Sequence, residues 1–305
     1  MSSDYPKAKV IIALVLGLTS FGFAPIIVKL ATDYSAFQVS AVRTVFAAVI
    51  LFPFYYFRTK EEKIATKVAV HERWWMAASG ILLGLHFISW TSSIYFTSVA
   101  SASVLVTVHP IILILVERLL FRVKFATTVW IGVIVAFIGS VVLGYSDFNA
   151  ESSFSNPALG NFLAFLAAVI FAIYFLIGRK VRKNHSWIEY VFPVYSWAAL
   201  TCTIVLFLLE GFSNPIDEKL LLLGLAMALG PQIMGHGALN YAIKYVSPTL
   251  LSTLILVEPL LASLLALVLF KEWPEISSLI AMAIILIGVS LTWKKSGKRA
   301  VPNLS

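Results

Sequence analysis

Charge and cysteine are what this 305-residue chain has least of. Asp, Glu, Lys and Arg make up 12% of it and hydrophobic residues 60%, with a mean hydropathy of +0.91. Soluble domains carry about 25% charged and about 45–50% apolar residues. A soluble fold has nowhere to hide this much apolar surface, so the composition excludes one and points to a polytopic membrane protein. The single cysteine, Cys202, lies inside an apolar run, which excludes an internal disulfide and a thiolate metal site. Enzyme signatures are missing as well. There is no H-E-x-x-H, no G-x-S-x-G and no P-loop, because Gly297-Lys298 has Thr292 where that motif needs glycine. Without a nucleotide site, whatever work the protein does has to run on gradients or exchange, and no cofactor is expected. Long hydrophilic loops are absent too, which argues against a receptor or scaffold and leaves a carrier or a passive channel.

The chain does have a net charge of +8. Its basic residues fall in short runs between apolar stretches, which fits membrane topology and excludes nucleic acid as a partner. A membrane-crossing helix needs about 20 mostly apolar residues. Stretches that meet this are 10–28, 36–57 with Arg43 inside, 74–116, 125–146, 152–178, 190–209, 220–243, 247–270 with Glu258 inside, and 276–293. The third is long enough for two helices joined at a Ser/Ala-rich turn over 98–103, so ten helices are expected. With the N-terminus inside, 19 basic residues fall in inside segments against two outside, Lys219 and Lys271. That asymmetry predicts cytoplasmic termini. The first span lacks a small-residue cleavage site and reads as a retained helix.

Sliding the chain on itself aligns its halves at an offset of 149. Ser98 falls on Ser247, Ser103 on Ser252, Leu105 on Leu254 and Pro110 on Pro259, with Phe121 on Phe270 and Gly139 on Gly288. Coincident Ser, Pro and Gly in one register predict a duplication, with one five-helix repeat in residues 1–150 and a second in 151–305. Five is odd, so the repeats must insert with opposite topology. The basic loop around Arg118 and its acidic mate around 271–275 then lie on opposite sides. Inverted repeats place substrate near the midplane and work by alternating access.

Ten helices as five plus five, with Tyr241-Ala-Ile-Lys-Tyr-Val-Ser-Pro-Thr-Leu, then Leu256-Val-Glu-Pro-Leu and Phe270-Lys-Glu, resemble the drug/metabolite transporter superfamily, and within it the bacterial EamA-type branch. The resemblance implies an all-α, multi-pass protein of the bacterial cytoplasmic (inner) membrane. It also implies a central cavity for a small-molecule substrate such as an amino acid or a cationic compound. The remaining partners are the lipid bilayer and a coupling proton or counter-substrate.

Polar residues inside the spans are the candidates for binding substrate or proton. Glu258 interrupts the ninth span, and His109 occupies its repeat position, each followed by proline. Together they make a proton-linked pair, or else two caps on carbonyls that proline leaves free. His86 with Trp90, and His236 with Asn240, are each four residues apart and share a helix face. Gln232 and Tyr95 extend this polar set. Arg43 is expected near the outer end of its span, where its side chain either snorkels to the interface or holds a substrate carboxylate. At the cytoplasmic end of the fourth span, Glu117 and Arg118 read as an interfacial ion pair.

Overall fold

The computed structural model describes residues 6–61, 69–97, 99–146, 155–211, 216–270 and 276–294, and those residues are helical apart from short connections. The first half contains α1 (Lys7–Gly22), α2 (Ala24–Leu30), α3 (Ala36–Glu61), α4 (Val70–Phe96), α5 (Val99–Val106), α6 (His109–Leu119) and α7 (Thr127–Ser146). The second contains α8 (Pro157–Val181), α9 (Trp187–Glu210), α10 (Glu218–Met227), a π-helical segment (Ala228–His236), α11 (Gly237–Ala242), α12 (Pro248–Ile255), α13 (Glu258–Phe270) and α14 (Ile276–Lys294). Among the described residues, eight helical stretches are long and apolar enough to cross a membrane, with Thr127–Leu143 as a shorter apolar helix. The expected ten also need that shorter helix and the broken pair α12–α13.

Such stretches must be helical, because hydrocarbon offers the backbone no hydrogen-bond partner except its own. Side chains cap the ends where water returns. The Asn156 carbonyl accepts from Leu159 N–H (3.1 Å), Asp217 accepts from Leu220 N–H (2.8 Å) and Ser247 Oγ accepts from Leu250 N–H (3.4 Å). Lipid-facing positions stay apolar and exposed, as with Ile11, Ile138 and Leu222.

The duplication is visible in the helix boundaries. α5 and α12 begin at 99 and 248, α6 and α13 at 109 and 258, and α7 and α14 at 127 and 276, each pair 149 apart. The packing respects it too. α4 lies against α8, while in the other half the π segment and α11 lie against α1; α3 packs on α9, α6 on α12, and α7 on α14. The α7–α14 crossing is close because glycines line it. A methyl group added to Gly139 would stand 2.8 Å from the Ile285 backbone nitrogen. Its repeat mate Gly288 is packed against Ala136 in the same crossing.

The basic loops meet at one end of the bundle. There His185 Nε2 lies 3.0 Å from Glu72, Asn184 donates to Glu72 at 3.3 Å, and Lys180 sits 4.4 Å from the centre of the Trp75 ring. At the other end Tyr34 donates to both carboxylate oxygens of Asp217 (2.6 and 2.8 Å), and Lys219 pairs with Asp33 at 2.5 Å. The hydrogen bond from Tyr34 holds the Asp217 carboxyl below its usual range, and the Tyr34 phenol is pushed up to about 12 by the same contact.

Two expectations are corrected. The two helices of the third stretch join just before the expected turn and not across it: α4 ends at Phe96 and α5 begins at Val99, so Ser101 and Ser103 are helical. Glu117 forms no ion pair with Arg118 among the described residues. It is 2% exposed and accepts from Thr249 N–H (3.3 Å) and the Thr249 hydroxyl, fastening α6 to the start of α12. Ser98, Lys63, Lys67, the 271–275 loop, the boundary at 150 and the basic tail beyond 294 lie outside the described residues.

Replacing Gly139 or Gly288 with leucine should lower the melting temperature in detergent, because overpacking a tight crossing costs about 1–3 kcal/mol. The neighbouring Ile138→Leu, on the exposed side, should not. Equal melting of all three variants would contradict the crossing described.

Candidate functional site

Four helices are broken or widened in mid-course, and a proline accounts for each case. Proline lacks the N–H that continues a helical ladder. Pro25 stands just inside α2, two residues after the break at Phe23; Pro110 is the second residue of α6 and Pro259 the second of α13; Pro231 lies within the π segment, whose wide turn tolerates the missing donor.

These irregularities converge on one small cavity of about 50 Å³. The first contributes Phe21 and Ala24, the second Val106 and His109, the third Pro231 and His236, and the fourth Ile255 and Glu258. The uninterrupted helices add Arg43 from α3, His86, Phe87 and Trp90 from α4, and Phe171 from α8. Both halves therefore supply wall. Six residues singled out from the sequence (Glu258, His109, His86, Trp90, His236 and Arg43) lie on it together.

The histidines surround one aromatic ring. The centroid of Phe171 is 4.7 Å from that of His109, 5.3 Å from His86 and 5.9 Å from His236, and His86 and His236 are themselves 5.9 Å apart. His109 Nδ1 lies 2.7 Å from the Val106 carbonyl, the one Pro110 leaves free, and His86 Nδ1 lies 3.0 Å from the Ala167 carbonyl. A carbonyl only accepts, so in both rings Nδ1 carries the proton and Nε2 is the acceptor nitrogen. The His109 contact has the geometry of the capping alternative, and among the described residues its Nε2 is buried without a hydrogen bond, as is His236 Nδ1. Glu258, half-buried at the first turn of α13, makes no hydrogen bond or ion pair among the described residues.

Arg43 does not snorkel. It is 1% exposed, with Cζ 4.0 Å from the centre of the Phe87 ring and Nε donating to Gln232 Oε1 at 3.1 Å. The expectation failed because counting along a span gives depth, not the direction a side chain faces.

The other three candidates lie outside the wall. Gln232 braces Arg43 from behind. Asn240 turns away from the cavity, donating to the Tyr174 hydroxyl (2.6 Å) and the His236 carbonyl (2.8 Å). Tyr95 donates to the Ala31 carbonyl at 2.9 Å. Sequence reasoning missed Phe21, Phe87 and Phe171, which nothing distinguishes among 22 phenylalanines until packing is known.

Arg43 is a buried charge without a carboxylate partner, so it costs stability in the resting protein. Arg43→Met should melt in detergent no lower than the wild type. A fall of several degrees would assign the arginine to structure instead.

The sequence profile of the EamA-like transporter family matches residues 8–145 and again 158–294. An S-adenosylmethionine uptake transporter of Rickettsia felis is 26% identical over 273 residues, covering 89% of this chain and 87% of that protein. The Rickettsia conorii transporter of the same name is 26% identical over 289 residues, covering 94% and 92%. An uncharacterized transporter of Clostridium kluyveri is 25% identical over 272 residues, covering 86% and 85%. One solved crystal structure superimposes with a TM-score of 0.75 at 17% identity, over 94% of this chain and 96% of that one, which is a likeness of fold. The chain belongs to the EamA-like transporter family, as a multi-pass membrane transporter and not an enzyme.

Proposed function

We propose that this chain is a secondary transporter of a small organic metabolite that works by alternating access. In this reading its two five-helix halves, residues 1–150 and 151–305, insert with opposite topology, and ten helices leave both termini on the cytoplasmic side of a bacterial inner membrane. Glu258, with His109, binds an amino or other cationic group of the substrate, or the coupling proton. His86, Trp90 and His236 form the pocket wall, while Asn240, Gln232 and Tyr95 act behind it.

The observation that carries this reading is the convergence of ionisable side chains from both halves on one cavity at the helix breaks. An acid and three histidines buried together in a membrane bundle are costly, and such groups mark solute and proton pathways. Interrupted helices facing each other across a repeat interface are the construction on which rocking-bundle carriers depend. The cavity size bears on the mechanism as well. At about 50 Å³ it holds a few water molecules, against roughly 300–1,000 Å³ for metabolite pockets. The walls must part to admit substrate, which suits a carrier and not an open pore. The relatives named for S-adenosylmethionine uptake make that compound, an amino acid bearing a sulfonium cation, a sensible first probe.

The test is a melting-temperature screen of purified protein with amino acids, polyamines, nucleosides and S-adenosylmethionine at pH 6 and pH 8, followed by uptake into proteoliposomes. Glu258→Gln should reduce uptake of the hit at least about tenfold, the loss expected for one charge-assisted contact, and flatten its pH dependence. Wild-type uptake with an unchanged pH profile would remove Glu258 from the site. Uptake that never exceeds equilibrium and shows no trans-stimulation would replace the carrier with a passive facilitator.

A further inference from the structure

Among the described residues three arginines are deeply buried, and two of them explain themselves. Arg179 donates to the carbonyls of Ile243 and Val246, and Arg182 donates to those of Asn240 and His185, so both cap the backbone where α11 ends. Arg43 does nothing of the kind. Among the described residues its one hydrogen bond is from Nε to the Gln232 side chain, and no carboxylate lies within ion-pair distance. Its terminal amino groups belong to a side chain that lines the cavity.

Among the described residues, the groups around Arg43 are aromatic rings, a thiol, an amide and, across the same cavity, the imidazoles of His86 and His236. Phe87 lies under the guanidinium, Tyr195 and Cys202 stand beside it, and the Tyr195 hydroxyl donates to the Gln232 carbonyl at 2.7 Å. Arginine only donates, so the oxygen of the Gln232 amide must face it, and this leaves Gln232 Nε2 as a buried donor without a partner. One wall of the cavity thus carries a permanent cation with no carboxylate beside it among the described residues, and close behind it an N–H of Gln232 without an acceptor. The starts of α6 and α13, at His109 and Glu258, bring two helix N-termini to the same cavity and add to its positive field.

We propose that Arg43, held through Nε by the neutral Gln232, is a carboxylate subsite that selects substrates bearing a carboxyl group. Gln232 acts as a positioning residue: it orients the guanidinium without neutralising it, which a glutamate at the same place would do. The proposal deepens the cavity reading above and rests on it. With Glu258 as the site for an amino group, the two ends of an amino acid have separate counter-charges, and no ion pair between Arg43 and Glu258 competes with the substrate. A free inorganic anion such as chloride offers the same chemistry and is the alternative source of charge.

The experiment compares methionine, leucine and S-adenosylmethionine with their decarboxylated amines, as dissociation constants from ligand-induced melting shifts of the purified full-length protein in chloride-free buffer. The expected result is that the wild type binds at least one acid about 10- to 100-fold tighter than its amine, the range for a hydrogen-bonded charge pair. Arg43→Gln and Gln232→Glu should each erase that ratio while leaving amine binding within about twofold. Retained amine binding also reports that each variant is folded. If Arg43→Gln does not fold, Gln232→Glu and Arg43→Lys carry the test, and Arg43→Lys should lose at least part of the ratio because it lacks the planar fork. An acid-to-amine ratio near one in the wild type, a ratio kept by both variants, or binding of no acid at all would overturn the subsite. So would a melting shift given by chloride alone and lost in Arg43→Gln, with no preference of the wild type for any acid over its amine, which assigns the arginine to an inorganic ion. Amine binding that is lost in Glu258→Gln keeps the cavity reading even if the subsite fails; binding of both classes unchanged in Glu258→Gln removes that reading.

Discussion

The constraint on which the rest of this bundle depends is the cost of holding Arg43 and Glu258 in a low-dielectric interior with no ion-pair partner among the described residues. A charged group at that depth is tolerated where protein dipoles, aromatic faces or a small polar cavity replace water. Here the Phe87 ring and the Gln232 amide serve Arg43, and the first turn of α13 serves Glu258. The surrounding helices supply apolar bulk, with α4, α8 and α9 packing tightly enough that Tyr174, Tyr190 and Tyr195 are fully buried. Their hydroxyls are themselves bonded, to Asn240, Ser79 and Gln232 respectively. At the cavity, by contrast, His109 Nε2 and His236 Nδ1 are buried without a hydrogen bond among the described residues.

That contrast depends on the four prolines. Each interrupts a helix beside the same cavity, and each interruption brings a polar or aromatic residue to its wall. In the matched pair α5–α6 and α12–α13 the duplication has kept the break and the proline but changed the residue that opens the second half-helix, histidine in one repeat and glutamate in the other. The same backbone device thus presents a base on one side and an acid on the other. Arg43 has no counterpart: its repeat position holds Phe192, which stacks on Tyr55 with ring centroids 4.4 Å apart. A symmetric frame carries an asymmetric set of charges.

Much of this was legible in the sequence. The spans follow from long uncharged runs, because hydrocarbon imposes both length and composition. The duplication follows from Ser, Pro and Gly in register, and Glu258, His109, His86 and His236 are conspicuous as ionisable groups within apolar runs. What escaped had no such signature. Phe21, Phe87 and Phe171 look like any lipid-facing phenylalanine until helix rotation is known; in α3 the buried face is marked only by the small residues Ser40 and Ala47 at helical spacing from Arg43, a signal that counting depth along the span passes over. Glu117 was read as surface because it sits at a span end. Its burial depends on the start of α12, 132 residues away. The supposed turn over 98–103 contains small residues that serve helix packing as readily as they serve a turn.

The central claim is that the cavity at the helix breaks is the path of the substrate. The measurement that bears on it most directly is the reactivity of one cysteine placed there, Val106→Cys in a Cys202→Ser background. The reagent is a membrane-impermeant thiol compound, added to right-side-out and to inside-out vesicles. The account predicts modification from one side in the ligand-free protein, and a changed rate or a changed side when a transported ligand is present. A cysteine that reacts from neither side under any condition would place the path elsewhere. Equal reaction from both sides at once would describe an open channel and contradict the carrier.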